Sequence, residues 1–178
     1  MRDVTIARNY AEALLELAES HGNAEAWGEL LEATAGALGT PSIEAVLMSP
    51  RVPKDQKIAI VTDALQGAPA TYVLFLAAVV RRNRQMMLGK IADEYRKLVD
   101  VQLNRVRAGV TMAHEVDALS RSVIVERLAK AIGKDVIAGF SVDPALLGGI
   151  VVKVGDRVYD GSVKKRLAVL RQQLVARQ

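Results

Sequence analysis

The 178-residue sequence contains no cysteine. Disulfide scaffolds, thiolate metal centres and cysteine nucleophiles are therefore excluded together. Histidine is nearly as scarce. His21 and His114 stand in unrelated sequence contexts, so no histidine metal cluster is expected within one chain. No apolar run approaches the roughly 18 residues that suggest a membrane span; the longest, Tyr72 to Val80, has nine. Aromatic residues make up only 4% and do not flank the basic clusters, which leaves few rings on which bases could stack. Catalytic signatures are missing as well. Gly89-Lys90 and Gly133-Lys134 lack the earlier glycine and the following Ser or Thr of a phosphate-binding loop, and neither GxGxxG nor GxSxG occurs. Asp156 and Asp160 could be imagined as a carboxylate pair, but one falls at a turn and the other at a helix start. The expectation is a non-catalytic protein without cofactor or metal.

What is present reads as a folded chain: 51% apolar and 25% charged residues. Four acids occur in the first 20 residues, so the opening resembles neither a secretory signal nor an acid-poor organelle presequence. That favours a cytoplasmic, bacterial protein. The net charge of +4 is unevenly spread: residues 153 to 178 hold seven basic groups against two acids. A further basic knot lies at Arg81, Arg82 and Arg84. Such patches suit an acidic protein, an anionic lipid surface or nucleic acid, or simply a solvated face. A basic helical bundle that binds RNA through its phosphates is the alternative function, although no nucleic-acid-binding motif accompanies the charge.

Up to about residue 105 the periodicity is helical. In Val4 to Ser20, one stripe holds Ile6, Tyr10, Ala13 and Leu17, and another holds Ala7, Ala11, Leu15 and Ala18. Together they span roughly 200° of the helix, about twice the arc of an ordinary core-facing stripe. Such a helix buries two faces, either as the central helix of a bundle or with a partner covering one of them. Ala24 to Leu38 predicts a second helix carrying Trp27, and Ile43 to Met48 a short third. Pro53 starts a fourth, running to about Leu65. Thr71 to Arg82 shows no polar face and reads as a buried fifth helix. Met86 to Val106 predicts a long sixth, with Leu88, Ile91, Tyr95, Val99 and Leu103 inward.

Near residues 104 to 109 the period changes to two. Val106, Ala108, Val110 and Met112 alternate with polar or small residues, as do Val136, Ala138, Phe140 and Val142. Between these strands lies a helix from Asp117 to Ile132, ended by Gly133. Ile150 to Val154 and Arg157 to Tyr159 flank Gly155-Asp156, a glycine-first loop that suits a type II′ hairpin. Asp160, Gly161 and Ser162 cap a last helix with Val163, Leu167, Leu170 and Leu174 on one face. The fold class is α+β: an all-α six-helix bundle over 1–105, then a small α+β domain over 106–178 with a short sheet and hairpin.

Two motifs are specific. Ala7-Arg8-Asn9-Tyr10-Ala11-Glu12-Ala13 opens the chain, and Asp143-Pro144 leads through Gly148-Gly149 and Gly155-Asp156 to Asp160-Gly161-Ser162. In order and spacing they resemble the delta subunit of F-type ATP synthases, whose mitochondrial counterpart is the oligomycin-sensitivity-conferring protein. Trp27 and Asn83-Arg84 stand where that family tends to place such residues. The resemblance implies a six-helix N-terminal domain and a smaller C-terminal one. Its implied role is that of a non-catalytic stator subunit linking the catalytic head to the peripheral stalk, so that rotation is coupled to ATP synthesis.

The partners it implies are alpha subunits, whose N-terminal helix lies between the first and fifth helices, and the b-type subunits of the peripheral stalk. The implied location is the cytoplasmic face of the bacterial inner membrane, without insertion. For the head contact the expected residues are Tyr10, Ala13, Leu14 and Leu17, with Phe75, Val79 and Asn83 opposite and Trp27 nearby. For the stalk they are Lys164, Lys165 and Arg171. Gly148, Gly149, Gly155, Asp156, Asp160, Gly161 and Ser162 are expected to shape the fold rather than to touch a partner.

Overall fold

The computed structural model describes residues 2–175. The chain forms two compact units that divide between Val99 and Asp100, a few residues before the change of period at 104 to 109.

The first unit is built from α1 (Arg2–Ser20), α2 (Ala24–Leu38), α3 (Pro41–Met48), α4 (Lys54–Ala64), α5 (Ala70–Arg81) and α6 (Leu88–Gln102). A single 3₁₀ turn at Gln85–Met87 leads into α6. Local chemistry sets the helix ends. Asn23 Oδ1 accepts the Ala26 N–H at 3.3 Å and caps α2. Pro41 opens α3, while Pro53 and Pro69 immediately precede α4 and α5. His21 Nδ1 lies 2.8 Å from the Leu17 carbonyl, one of the acceptors that the end of α1 leaves without an intrahelical donor. Inside, Ala7, Ala11, Leu14 and Ala18 of α1 pack into one core with Trp27, Leu31, Tyr72, Leu76, Val79, Ile91 and Tyr95. Its buried hydroxyls are satisfied: Tyr95 donates to the Ala24 carbonyl at 2.8 Å, and Tyr72 to Thr34 Oγ1 at 3.0 Å. Burial pushes the Tyr72 hydroxyl up to about 12, more strongly than its bond to Thr34 pulls it down.

Two helices depart from the periodicity. α6 stops at Gln102 rather than reaching Val106, because Asn104 takes a left-handed φ of 49° and the first strand begins at Arg105. Leu103, expected inward, is 39% exposed. α5 is not buried all round either: Leu74, within its apolar run, is 69% exposed.

The second unit holds β1 (Arg105–Met112), α7 (Ala118–Ile132), β2 (Asp135–Val142), β3 (Ile150–Val154), β4 (Arg157–Asp160) and α8 (Val163–Val175). The strand order is β2-β1-β3-β4, with β1 parallel to β2 and antiparallel to β3. Asp117 caps α7 by accepting the Ser120 N–H at 3.0 Å, and Gly133 ends it at φ 72°. Ala108, Val110, Met112 and Val152 form the small buried core, on which Ile124, Leu128 and Phe140 pack. In the β3–β4 turn Gly155 has φ 56°, whereas Asp156 is not among the positive-φ residues. A positive φ at the first turn position alone is what a type II′ turn requires.

Candidate functional site

Five of the seven residues expected to shape the fold, Gly148, Gly149, Asp160, Gly161 and Ser162, form a backbone junction, while Gly155 and Asp156 make the β3–β4 turn. Gly149 takes φ 78°, and a Cβ built on it would stand 2.4 Å from the Gly161 carbonyl oxygen. A Cβ on Gly148 would meet Val163 Cγ2 at 2.9 Å. The segments are joined by Gly161 N–H to the Ile150 carbonyl and Val163 N–H to the Gly148 carbonyl, both at 2.9 Å. Asp160 Oδ1 accepts the Ser162 N–H at 2.9 Å, and buried Ser162 Oγ accepts the Lys165 N–H at 3.1 Å, capping α8. That bond to Ser162, ahead of the charges of Lys165 and Lys164, holds the Asp160 carboxyl below the usual carboxylate range. Asp156 is exposed at the hairpin turn. These side chains are engaged in turns and caps.

The residues expected at the head contact fall into two groups. Leu14, Trp27, Phe75 and Val79 are buried in the unit's own core, with Leu14 and Val79 at 0% exposure. Leu14, not Leu15, continues the inward stripe of α1, so it is a packing residue, and the same correction holds for Val79 and Trp27. Trp27 stacks edge-on against Tyr72 at 5.8 Å between ring centroids and lies 5.2 Å from the His21 ring. The other group stays accessible. Ile6, Tyr10 and Leu17 are half-buried and Ala13 is exposed, all along one side of α1. Across from them runs α5, with Tyr10 meeting Phe75 edge to face at 6.2 Å between centroids. Phe75 is 8% exposed, the edge of the core where it reaches this seam.

Thr71, Leu74, Ala78 and Arg82 recur at helical spacing on the α5 side of the seam. The sequence reading missed Leu74 and Ala78 because an all-apolar run carries no internal sign of its outer face. One signal existed: counting back from the polar Arg82 in steps of four gives Ala78 and Leu74. Asn83 is exposed at φ 55° and ends the helix, so its side chain sits at the end of the seam rather than along it. At that end Arg82 Nη1 donates to Tyr10 Oη at 3.3 Å, and the Arg84 guanidinium lies 5.7 Å from the Tyr10 ring centroid. At the opposite end Thr71 Oγ1 is 3.5 Å from His21 Nε2.

The second accessible strip is on α8, which has no buried residue. Leu167, Leu170 and Leu174 are 52%, 53% and 61% exposed, and Val163 at the start of the same stripe is also open. Helical spacing places Lys164 and Arg171, seven residues apart, along one flank of this stripe and Arg166 along the other. Lys165 does not share that face. It lies round the helix with Val169, beside Asp160 in a shallow hollow. The helix contains no acid to offset its four cations. Among the described residues no group of histidines and carboxylates could hold a metal ion.

The profile of a family described as "ATP synthase delta (OSCP) subunit" matches residues 6–174. A protein called ATP synthase subunit delta from Gemmatimonas aurantiaca is 43% identical over 172 residues, covering 96% of this chain and 93% of that protein. Proteins of the same name from an Anaeromyxobacter species and from Myxococcus xanthus are 42% and 34% identical, over 96% and 99% of this chain and 97% and 100% of theirs. A chain in the cryo-EM structure of the Toxoplasma gondii mitochondrial ATP synthase hexamer superposes with a TM-score of 0.65 at 21% identity. It covers 95% of this chain and 97% of that one, which establishes a shared fold. These relatives give no support to the RNA-binding alternative.

Proposed function

Because the chain belongs to the ATP synthase delta (OSCP) subunit family, we propose that its two uncovered apolar strips are the two attachment points of a stator subunit, one for the catalytic head and one for the peripheral stalk. A delta (OSCP) subunit is a non-catalytic component of the synthase, so the work is done by interfaces rather than by reacting groups. Among the described residues no helix is long and apolar enough to cross a membrane. The subunit is held at the cytoplasmic face of a bacterial inner membrane through its complex rather than by insertion.

The observation that carries the head contact is the α1–α5 seam. A bundle that closes its core around Leu14, Tyr72 and Tyr95 leaves Tyr10, Ala13, Leu17, Leu74 and Ala78 at least partly in water. Small residues at 13 and 78 let a third helix approach closely, while Tyr10, Leu17 and Leu74 supply apolar area at about 25 cal/mol per Å². The N-terminal helix of an alpha subunit is the occupant, laid into the seam by its apolar face. The α8 stripe, flanked by Lys164, Arg171 and Arg166, takes the b-type helices of the stalk, with leucines in the contact and cations at its rim.

Calorimetric titration of the full chain with a peptide of the alpha-subunit N-terminus tests the head contact. Saturable one-to-one binding with a negative heat-capacity change is the expected result. Leu17→Glu should abolish it and leave binding to the stalk subunits intact. Unchanged peptide binding by Leu17→Glu would remove the seam from consideration.

A further inference from the structure

Resting on the seam reading above, we infer that the seam is electrically polarised and that its occupant is an amphipathic helix presenting a carboxylate to Arg82 and Arg84. Both arginines converge on Tyr10, midway along α1, at the end where α5 finishes. Arg82 reaches the hydroxyl and Arg84 the ring face. Neither has a carboxylate partner among the described residues. The acids of the first three turns of α1 are already engaged: Asp3 binds Lys90 at 2.9 Å and Glu12 binds Arg8 at 2.9 Å. α6 contributes Glu94, but that group binds Lys97 at 2.6 Å. The guanidiniums are therefore a standing positive pair beside an open apolar strip.

The other end of the seam has the opposite character. Glu16 is exposed on the flank of Ala13 and Leu17, with no ion pair among the described residues, and Leu17 runs on to Ser20 and His21. A helix lying along the strip would therefore find cations at one end and an anion at the other. Apolar contact alone would leave such a helix free to slide by a turn or to dock reversed. One carboxylate held by the Arg82–Arg84 pair fixes both register and direction, since charge complementarity selects geometry more than it adds affinity. Tyr10 joins the two functions: its ring forms the apolar wall and its hydroxyl holds Arg82 over the strip.

A double-mutant cycle in full-length protein tests this. The probes are the alpha-subunit N-terminal peptide and a copy with every Asp and Glu changed to Asn and Gln. Wild-type protein should bind the native peptide about three- to tenfold more tightly than the neutral copy at low salt. That preference should vanish near 1 M salt, where the screening length falls to about 3 Å. The double variant Arg82→Gln/Arg84→Gln should bind both peptides alike, at the weaker affinity. Tyr10→Phe, which keeps the wall and releases Arg82, should lose part of the preference. Equal discrimination between the peptides by wild type and the double variant overturns the carboxylate anchor while leaving the seam reading standing. Failure of the native peptide to bind wild-type protein in any salt defeats both.

Discussion

The helical unit and the sheet unit solve the same problem at very different levels of completion. The first closes a core that runs through all six helices and leaves open a strip between α1 and α5. The second gathers four buried residues into its core cluster, and among the described residues neither α7 nor α8 buries a residue completely. One unit is a finished body with a slot in it. The other is a sheet whose last helix is held by its first turn and is exposed along the rest. An interface residue must be read differently in each: in the bundle it stands beside the core stripe, and in α8 it is the stripe.

Substitutions can break or sharpen this contrast. The largest effect is expected from Leu14→Ala, which removes a fully buried side chain and should cost the helical unit about 2–5 kcal/mol in denaturant unfolding. Its neighbour Leu17→Ala, half-buried on the seam, should cost under about 1 kcal/mol. Equal losses would mean that the two stripes of α1 are not distinct. Gly149→Ala comes next. It combines a left-handed φ with a collision against the Gly161 carbonyl and should destabilise the sheet unit by about 2–3 kcal/mol, seen as faster amide exchange in β3 and early α8.

Alkaline titration should touch the bundle. The Tyr72 hydroxyl ionises near 12 when folded, against about 10 when unfolded, so the unfolded chain holds fewer protons between these values. Stability is then complete below about pH 10 and falls as the pH rises toward 12. Tyr72→Phe should reduce that fall, and the rest belongs to Tyr95, whose hydroxyl is also pushed up by burial. Ser162→Ala removes the cap of α8 and should cost about 1 kcal/mol, read as exchange at its first turn. Leu170→Glu should be smallest, within about 0.5 kcal/mol of wild type, yet it should abolish capture of the stalk subunits. A marked loss of stability there would show that α8 has a packing role of its own.

Much of this was legible in the order of the residues. α2 spans the Ala24 to Leu38 that its pattern predicts, and the hairpin follows its Gly155-Asp156 turn, because caps and turns act over a few residues. What escaped reading was decided by distant partners. Leu103 fits the inward stripe of α6 by spacing, but β1 must begin at Arg105 to align with Asp135 across the sheet. Leu14 and Leu15 differ by one position, and only the packing of the other helices selects Leu14 for the core. Leu74 looks like its buried neighbours until α5 is set against α1. Burial within a unit separates core from surface; it was the sequence that supplied the idea that a surface would be shared.

The strand order has a consequence in time. β1 lies at the centre of the sheet, yet its two neighbours are β2, about 30 residues later, and β3, later still. A ribosome adding about 5–20 residues per second therefore exposes β1 for roughly 2–8 s before β3 is made. The six helices upstream are complete by Gln102 and can close in that interval. The bundle thus folds while β1 is still waiting for both of its neighbours.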